Sequence, residues 1–413
     1  MSNANHGIDM IQLKRKVSVD SYAIPNISRF PFFLRPGYLF LSIWIIILFL
    51  YSFGISYSFY PYWTTLLFLC IFCLSVFFSG YLTIYILSKI KCRGDATVNV
   101  LHVKEGSVGK VDLLLFVLSA IVVIYNYYKF GLPPIVDVLG FESSNYHEYG
   151  KFRGVLTPIL SSIFLISSFE NKVYKNIFFK SYSLLVLICY INRGPLLMMV
   201  FQWFALMVIL KPQCLKMSFR YCVAFLVFVT FAMQVLGEIR SGTDVFLNYL
   251  QIKDSYHEWN IGILWIMSYV TQPVSNFLWI STSYNFDGWS CYSFYRILPA
   301  FMQPNVNGLE YLQGNSNIID NVHFYLMYIF ADYWWAGVIL YNYVLGILAG
   351  IIEYSLIVFN NPLVYVIFLS AIALIFFVDY VLYFPTIFQF GICYLSGLFI
   401  FKKNDTYFLP CPI

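Results

Sequence analysis

The chain has 413 residues, of which 60% are hydrophobic, 21% aromatic and 11% charged, and its formal net charge at pH 7 is +5. Soluble domains carry about 25% charged residues, so this composition excludes an ordinary soluble protein. The Lys and Arg residues are spread through short polar segments and form no basic stripe, which excludes a nucleic-acid-binding surface.

The hydrophobic residues occur in runs of about 17 to 25 residues, the length that a helix needs to cross the hydrocarbon core of a bilayer. We therefore predict an all-α polytopic membrane protein with about 10 transmembrane helices, or up to about 12. The predicted spans are 38–59, 63–88, 111–128, 154–169, 181–192, 195–211, 221–237, 333–354, 363–383 and 385–401.

These spans define the predicted domain organisation. Two membrane bundles flank a large external loop, and the first bundle has about seven helices and the second about three. The predicted regions are a cytoplasmic leader (1–37), the first bundle (38–237), the large periplasmic loop (238–331), the second bundle (332–402) and a cytoplasmic tail (403–413).

The positions of Lys and Arg in the short loops predict the orientation of the chain. Most of these residues, among them Arg15, Arg35 and Lys402, fall on one side if the N-terminus is inside. Both termini are therefore expected in the cytoplasm and the large loop outside it.

One apolar segment of the large loop, 261–282, is long enough to be a span but has Gln272, Pro273 and Asn276 at its middle. If it crossed the membrane alone, everything after it would invert and Lys402 would lie outside. We therefore predict an interfacial or re-entrant helix that is broken at Pro273.

Arg193 is the first candidate for binding an anion. It stands between two apolar runs, where Asn192 is expected to cap the next helix and Pro195 suits its first turn. A guanidinium beside a helix N-terminus, with its unpaired N–H groups and positive dipole end, suits a phosphate or diphosphate. The alternative is that Arg193 only reaches lipid headgroups.

Three further arginines fall on the same predicted face of the membrane. Arg240 follows the next outward-going span, Arg153 stands at the outer end of its own span, and Arg296 lies in the large loop. The alternative for each is an ordinary interfacial arginine, and for Arg240 an ion pair with Glu238. Four arginines are thus expected to converge on one face.

His323 is the external histidine closest to a predicted membrane surface, and a histidine can act as a general base near neutral pH. Asp332 opens the eighth span and is a second candidate, with helix capping as its alternative role. Glu238 is the third. The sequence contains no P-loop, dinucleotide fingerprint, HExxH motif or acidic metal cluster, so we expect no metal site and no nucleotide cofactor.

Three short stretches together resemble the O-antigen polymerases, the Wzy-type oligosaccharide repeat unit polymerases. They are Asn192-Arg193-Gly194 at the mouth of a mid-chain span, the stretch 269–276, and the stretch 321–337 around Asp332. The likeness covers the layout of most of the chain, including the large late loop. Family members often end the last stretch with Asp-Phe/Tyr-Gly, whereas Trp334 stands here in place of the glycine.

The resemblance implies a GT-C-like protein of the bacterial inner membrane. It would be an inverting glycosyltransferase that moves a growing glycan from undecaprenyl diphosphate onto an undecaprenyl-diphosphate-linked repeat unit at the periplasmic face, beside membrane lipids and with a chain-length regulator as partner. The roles expected on this basis are diphosphate binding by Arg193 and Arg240, with Arg153 or Arg296 assisting, and base catalysis by His323, ahead of Asp332 and Glu238.

Two other functions fit a polytopic protein of the same pathway. A lipid-linked oligosaccharide flippase is expected to show two similar halves and charges inside a central cavity, whereas this chain has one large loop and charges at the span mouths. An O-antigen ligase uses the same donor and a similar layout with a different acceptor.

Overall fold

The protein is mostly helical in the part of the chain that this computed structural model describes. The described residues are 21–24, 34–59, 63–91, 99–138, 150–190, 193–211, 227, 230, 234, 243–283, 291–303, 324–359, 361–376 and 378–402. The elements are β1 (Ser21–Ile24), α1 (Pro36–Ser52), α2 (Trp63–Lys91), β2 (Asn99–His102), α3 (Ser107–Phe130), α4 (Ile135–Val138), α5 (Gly150–Ile166), α6 (Val173–Cys189), α7 (Arg193–Leu210), α8 (Thr243–Tyr249), α9 (Ile261–Ser283), α10 (Tyr292–Tyr295), α11 (Met327–Phe359), α12 (Pro362–Ala373) and α13 (Phe384–Ile400).

Three helices among the described residues are long and apolar enough to cross a membrane, at Leu69–Leu87, Ser107–Phe130 and Met327–Tyr354. Shorter apolar helices accompany them at Pro36–Ser52, Gly154–Phe169, Gly194–Leu210, Pro362–Ala373 and Phe384–Ile400. The helices are thus compatible with the predicted all-α membrane protein.

Helix α3 has the polarity expected of a helix in lipid. Its buried positions include three polar residues spaced seven apart, Asp112, Ser119 and Asn126. Ser119 Oγ lies 3.0 Å from Tyr182 Oη and the Asn126 amide donates to Tyr190 Oη at 3.3 Å, so this polar stripe faces α6. Lys110 and Lys129 are exposed near the two ends of α3. Between them, the large exposed side chains are apolar or aromatic: Leu113, Leu114, Val117, Leu118, Ile121, Ile124, Tyr125, Tyr127 and Tyr128.

Helix α11 is a helical hairpin that reverses at Trp334, whose backbone has φ 56° and ψ −156°. The hydroxyl of Tyr325 donates to Asn342 Oδ1 at 2.8 Å. Residues 17 apart in a straight helix would be separated by about 25 Å along its axis, so the two limbs must fold back on each other. The limb from 335 to 354 is still about 30 Å long, enough for the hydrocarbon core.

Glycines permit the close packing of α11 against α2. A Cβ on Gly346 would lie 2.5 Å from the Val76 carbonyl oxygen and closer still to Ser79 Oγ, and one on Gly350 would lie 2.8 Å from the Gly80 carbonyl oxygen. Small residues at helix crossings let backbones approach in this way, which increases dispersion contacts between them.

One end of the bundle, the ribbon end, joins segments that are far apart in the sequence. Strands β1 and β2 pair there in antiparallel register. Nearby, Arg35 Nε lies 2.7 Å from Glu353 Oε1, and the Lys104 N–H donates to the Ile400 carbonyl. All of these segments are predicted to lie on the cytoplasmic side.

The opposite end, the site end, joins loops that are predicted to lie outside. Ser56 forms an isolated bridge with Ile252, and the Phe384 N–H donates to the Arg296 carbonyl at 2.8 Å. In each of these contacts, the two segments are ones predicted to share a side of the membrane. Which end faces the cytoplasm stays a prediction.

The predicted break of 261–282 at Pro273 is wrong, because α9 is continuous from Ile261 to Ser283. The Thr271 hydroxyl donates to the Met267 carbonyl at 2.7 Å, in the turn before the proline. Buried helices tolerate proline where neighbouring helices and Ser or Thr side chains satisfy the backbone. The apolar face of α9 packs on α11 through Phe277.

Two helix boundaries also differ from the predicted spans. Helix α6 begins at Val173, eight residues before the predicted span 181–192. Helix α12 ends at Ala373, so the second half of the predicted span 363–383 is not helical. The Asp379 side chain accepts backbone N–H groups in this second half, which offers the chain an alternative to helical hydrogen bonds.

Candidate functional site

Arg296 is the central cation of the site end and follows directly after helix α10. Its Cζ lies 4.9 Å from the ring centroid of Tyr328 on α11 and 5.5 Å from that of Tyr383, just before α13. Its carbonyl accepts the Phe384 N–H. Backbone and side chain are thus both fixed between two helices, and the aromatic faces stabilise the positive charge.

The guanidinium of Arg296 has an unused hydrogen-bond donor. Its Nη1 is buried and has no hydrogen-bond partner among the described residues. A buried unpaired donor costs about 1–3 kcal/mol, more if it is charged, and such groups are normally bonded. A guanidinium matches phosphate and carboxylate oxygens in geometry and charge. An anionic oxygen of this kind would therefore suit the Nη1 donor of Arg296.

Asp379 is buried beside this cluster, between the end of α12 and the start of α13. Its Oδ1 accepts the N–H groups of Val381 and Leu382 at 2.9 and 3.1 Å, and its Oδ2 accepts the Tyr341 hydroxyl at 2.8 Å. Arg296 is the cation with which Asp379 interacts electrostatically. Asp379 therefore places a partner charge near Arg296 while its oxygens are bonded to other groups.

The N-terminus of α7 lies against the same segment. A Cβ on Gly194 would lie 3.2 Å from the Tyr380 hydroxyl, so a side chain larger than hydrogen would press on that residue. Helix α7 begins at Arg193, and its first N–H groups have no partner within the helix. The positive end of α7 is thus directed to the region of Arg296 and Tyr380.

The first turn of α5 reaches the site end as well. A Cβ on Gly154 would lie 3.5 Å from the Phe384 ring, and Phe384 is the residue that donates to the Arg296 carbonyl. The backbones of Arg153, Arg193 and Arg296 therefore lie at one end of the bundle. The side chains of Arg153 and Arg193, and the whole of Arg240, are outside the described residues.

Asp332 is fully buried near the turn of the α11 hairpin. Its Oδ1 accepts the Tyr292 N–H at 2.9 Å, and its Oδ2 accepts the Ser293 N–H at 2.8 Å and the Ser293 hydroxyl at 2.5 Å. The carboxylate therefore caps α10 and holds the turn that precedes Arg296. These bonds favour a positioning role over that of a general base.

The two remaining base candidates, His323 and Glu238, lie outside the described residues. Asp379 and the tyrosines around Arg296 were not predicted as site residues. The signal for Asp379 was its position as an acid inside an apolar run, since such residues are functional candidates by default. Tyr328, Tyr341 and Tyr383 carried no such signal, because the chain has 35 tyrosines.

The arrangement suits the binding of a polyanion at the end of an apolar bundle. Arg296 and the α7 N-terminus offer positive charge and N–H donors, and the tyrosines exclude water, which strengthens electrostatic attraction. Within the described ranges, no group of three or more His, Cys, Asp and Glu side chains is placed to hold a metal ion.

Comparison with known proteins gives no match: no family model, no curated protein and no solved structure is similar to this chain.

Proposed function

We propose that this chain is a membrane glycosyltransferase of the O-antigen polymerase type, which joins lipid-linked oligosaccharide repeat units. The observation that carries the proposal is the buried Nη1 of Arg296, which has no hydrogen-bond partner among the described residues. It is held at one end of an apolar helical bundle, beside the N-terminus of α7. A lipid diphosphate would bring its anionic group to this place while its hydrocarbon chain stays along the apolar outer faces of the helices.

The proposed reaction needs stabilisation of a leaving group. An acceptor hydroxyl oxygen attacks the anomeric carbon of the donor glycan, the bond from that carbon to the diphosphate oxygen breaks, and the bonding electrons remain on the diphosphate. Arg296 and the α7 N–H groups meet this developing charge, and Arg193, Arg153 and Arg240 are proposed to assist. The configuration at the anomeric carbon inverts.

The proton of the acceptor hydroxyl must pass to a base. We keep His323 as first choice, because the Asp332 oxygens are bonded to the α10 turn. Asp379 is proposed to act through Arg296, as a nearby acidic group that interacts electrostatically with the guanidinium.

The test is deletion of the gene followed by complementation. Deletion is expected to leave surface glycans that carry a single repeat unit on the lipid core. Reintroducing the native gene is expected to restore the ladder of long-chain polymers. Arg296→Ala should reduce polymer formation by about 100-fold or more, as expected for the loss of one charge-stabilising donor. Lys253→Ala is the matched control, since Lys253 is another cation of the site end and lies over a different tyrosine, Tyr57.

The same deletion separates the alternatives. Polymer stranded on the lipid carrier would indicate a ligase, and the absence of both single repeats and polymer outside would indicate a flippase. An Arg296→Ala variant that inserts normally and makes the native ladder would contradict the proposed role of Arg296.

A further inference from the structure

Trp334 has a backbone conformation that residues with a side chain rarely adopt. Its φ of 56° and ψ of −156° lie near a region that is used almost only by glycine. Among the described residues, Gln251 is the other non-glycine with positive φ. The hairpin reversal explains the backbone angles, and glycine would adopt them without strain. It does not explain the presence of a tryptophan.

The Trp334 indole stacks on a buried ring, and the residue is partly exposed. It stacks on Phe330 with ring centroids 4.7 Å apart and an interplanar angle of 29°. Phe330 is itself fully buried, with its ring edge-on to Phe277 and to Trp335. Trp334 as a whole keeps 37% of its surface exposed. Packing on Phe330 therefore fixes the position of the flat Trp334 ring.

This surface lies near the proposed diphosphate site. Asp332, two residues before Trp334, holds the α10 turn that leads to Arg296. Phe294 in that turn is half exposed, and its ring lies 6.4 Å from that of Tyr333. The Asp332 carboxylate therefore links the hairpin turn at Trp334 to the turn that precedes Arg296.

The depth of Trp334 fits contact with a polar ligand. Glu353, which binds Arg35 at the ribbon end, follows Trp334 by 19 residues of the second limb, about 28 Å of helix. That is close to the thickness of a hydrocarbon core. Trp334 thus lies at the opposite interface, where a sugar attached to a membrane-bound diphosphate would be found. A tryptophan that only anchors the protein at an interface needs no strained backbone.

We propose that Trp334 is a specificity-determining residue that stacks on a sugar ring of the lipid-linked glycan whose diphosphate is bound at Arg296. The C–H groups on one face of a sugar ring carry slight positive charge and pack against the negative face of the indole. This inference rests on the proposed function and adds the residue that recognises the glycan. It predicts a preference for sugars with one face free of hydroxyl groups.

The test compares Trp334→Gly and Trp334→Phe with the native full-length protein in detergent. The ligands are the free repeat-unit oligosaccharide of the source strain and undecaprenyl diphosphate without sugar. Trp334→Gly should unfold at no lower temperature than the native protein, because the strain is removed. It should bind the oligosaccharide about tenfold more weakly, within the range of an aromatic stacking contact, and bind undecaprenyl diphosphate unchanged.

Trp334→Phe keeps an aromatic ring and should retain most of the oligosaccharide binding. Trp259→Gly is the control, because Trp259 is a comparably exposed tryptophan near the site end, beside Phe53. If Trp334→Gly binds the oligosaccharide as tightly as the native protein, or loses stability together with both ligands, the stacking role is wrong. If the native protein binds neither ligand, the proposed function fails as well.

Discussion

Asp332 illustrates how a single carboxylate organises the site. Its two oxygens accept hydrogen bonds from Tyr292 and Ser293, and Arg296 follows within one turn. Charged groups that cap a helix end are stronger acceptors than neutral ones. The position of the Arg296 guanidinium therefore depends on a residue that need not touch a ligand.

We predict that Asp332→Asn lowers stability and polymer formation together. The asparagine amide has one acceptor oxygen, and its NH₂ group would face the donors of Ser293. At least one hydrogen bond is therefore lost, which lowers the free energy of unfolding by about 1–3 kcal/mol. Thermal unfolding of the purified variant measures this loss. Asp254→Asn is the control, since the Asp254 side chain is 89% exposed, and it should change stability by less than about 0.5 kcal/mol. Equal melting temperatures for both variants would contradict the capping role.

The sequence identified Asp332 and Arg296 as candidates. It did not predict that Asp332 caps α10, the short helix that directly precedes Arg296. A capping residue is recognised when it directly precedes the helix that it caps, whereas Asp332 caps a helix about 40 residues earlier in the chain. The same limit applies to Asp379, whose tyrosine donor lies 38 residues away. Local patterns identify residue types, and distant pairing is decided by packing.

Helices α2 and α11 form a tight crossing of the bundle, and it depends on glycine. A Cβ on Gly346 would meet the Val76 carbonyl at 2.5 Å, and a backbone atom cannot move aside as a flexible side chain can. The hairpin turn at Trp334 and the ion pair at Glu353 are both on α11, so movement of this helix would disturb both ends of the bundle.

We predict that Gly346→Ala destabilises the protein by about 1–3 kcal/mol, the usual effect of overpacking. Gly391→Ala provides the matched control, because a Cβ there meets nothing within 4 Å and alanine favours a helix more than glycine does. Thermal unfolding in detergent should show a lower midpoint for Gly346→Ala and an equal or higher one for Gly391→Ala. A reversed order would show that the crossing is looser than described.

Sequence patterns predicted the existence of most helices and failed at their irregularities. Apolar runs predicted α1, α2, α3 and α13, because a helix that crosses a membrane needs a long run of apolar residues. The reversal at Trp334 was not predicted, because tryptophan is not a residue that signals positive φ. The break expected at Pro273 is missing because residues 271–278 are buried, and packing of this kind stabilises the helix.

At the scale of the whole molecule, the contacts between distant segments described above lie at two opposite ends of the helical bundle. The ribbon end holds Arg35 and Glu353, and the site end holds Arg296 and Asp379. The alternation of loops predicted from hydropathy would produce this separation, because an odd number of crossings between two segments places them at opposite ends. The bias of Lys and Arg then predicts that the ribbon end is cytoplasmic.

We predict that the native Cys291, which is exposed at the site end next to α10, faces the periplasm. A membrane-impermeant maleimide should label it in intact spheroplasts, and the Cys291→Ser variant should lose that label. Labelling of Cys291 only after the membrane is made permeable would reverse the predicted orientation.

The central claim is that the site end binds a lipid diphosphate and joins the glycans attached to it. The most direct measurement is reconstitution of the purified chain in lipid vesicles with undecaprenyl-diphosphate-linked repeat units as the only sugar source. We predict a ladder of polymers without added nucleotide, and a loss of about 100-fold or more in its rate with Arg296→Ala. Absence of polymer from a folded native protein, or an equal ladder from Arg296→Ala, would contradict the claim.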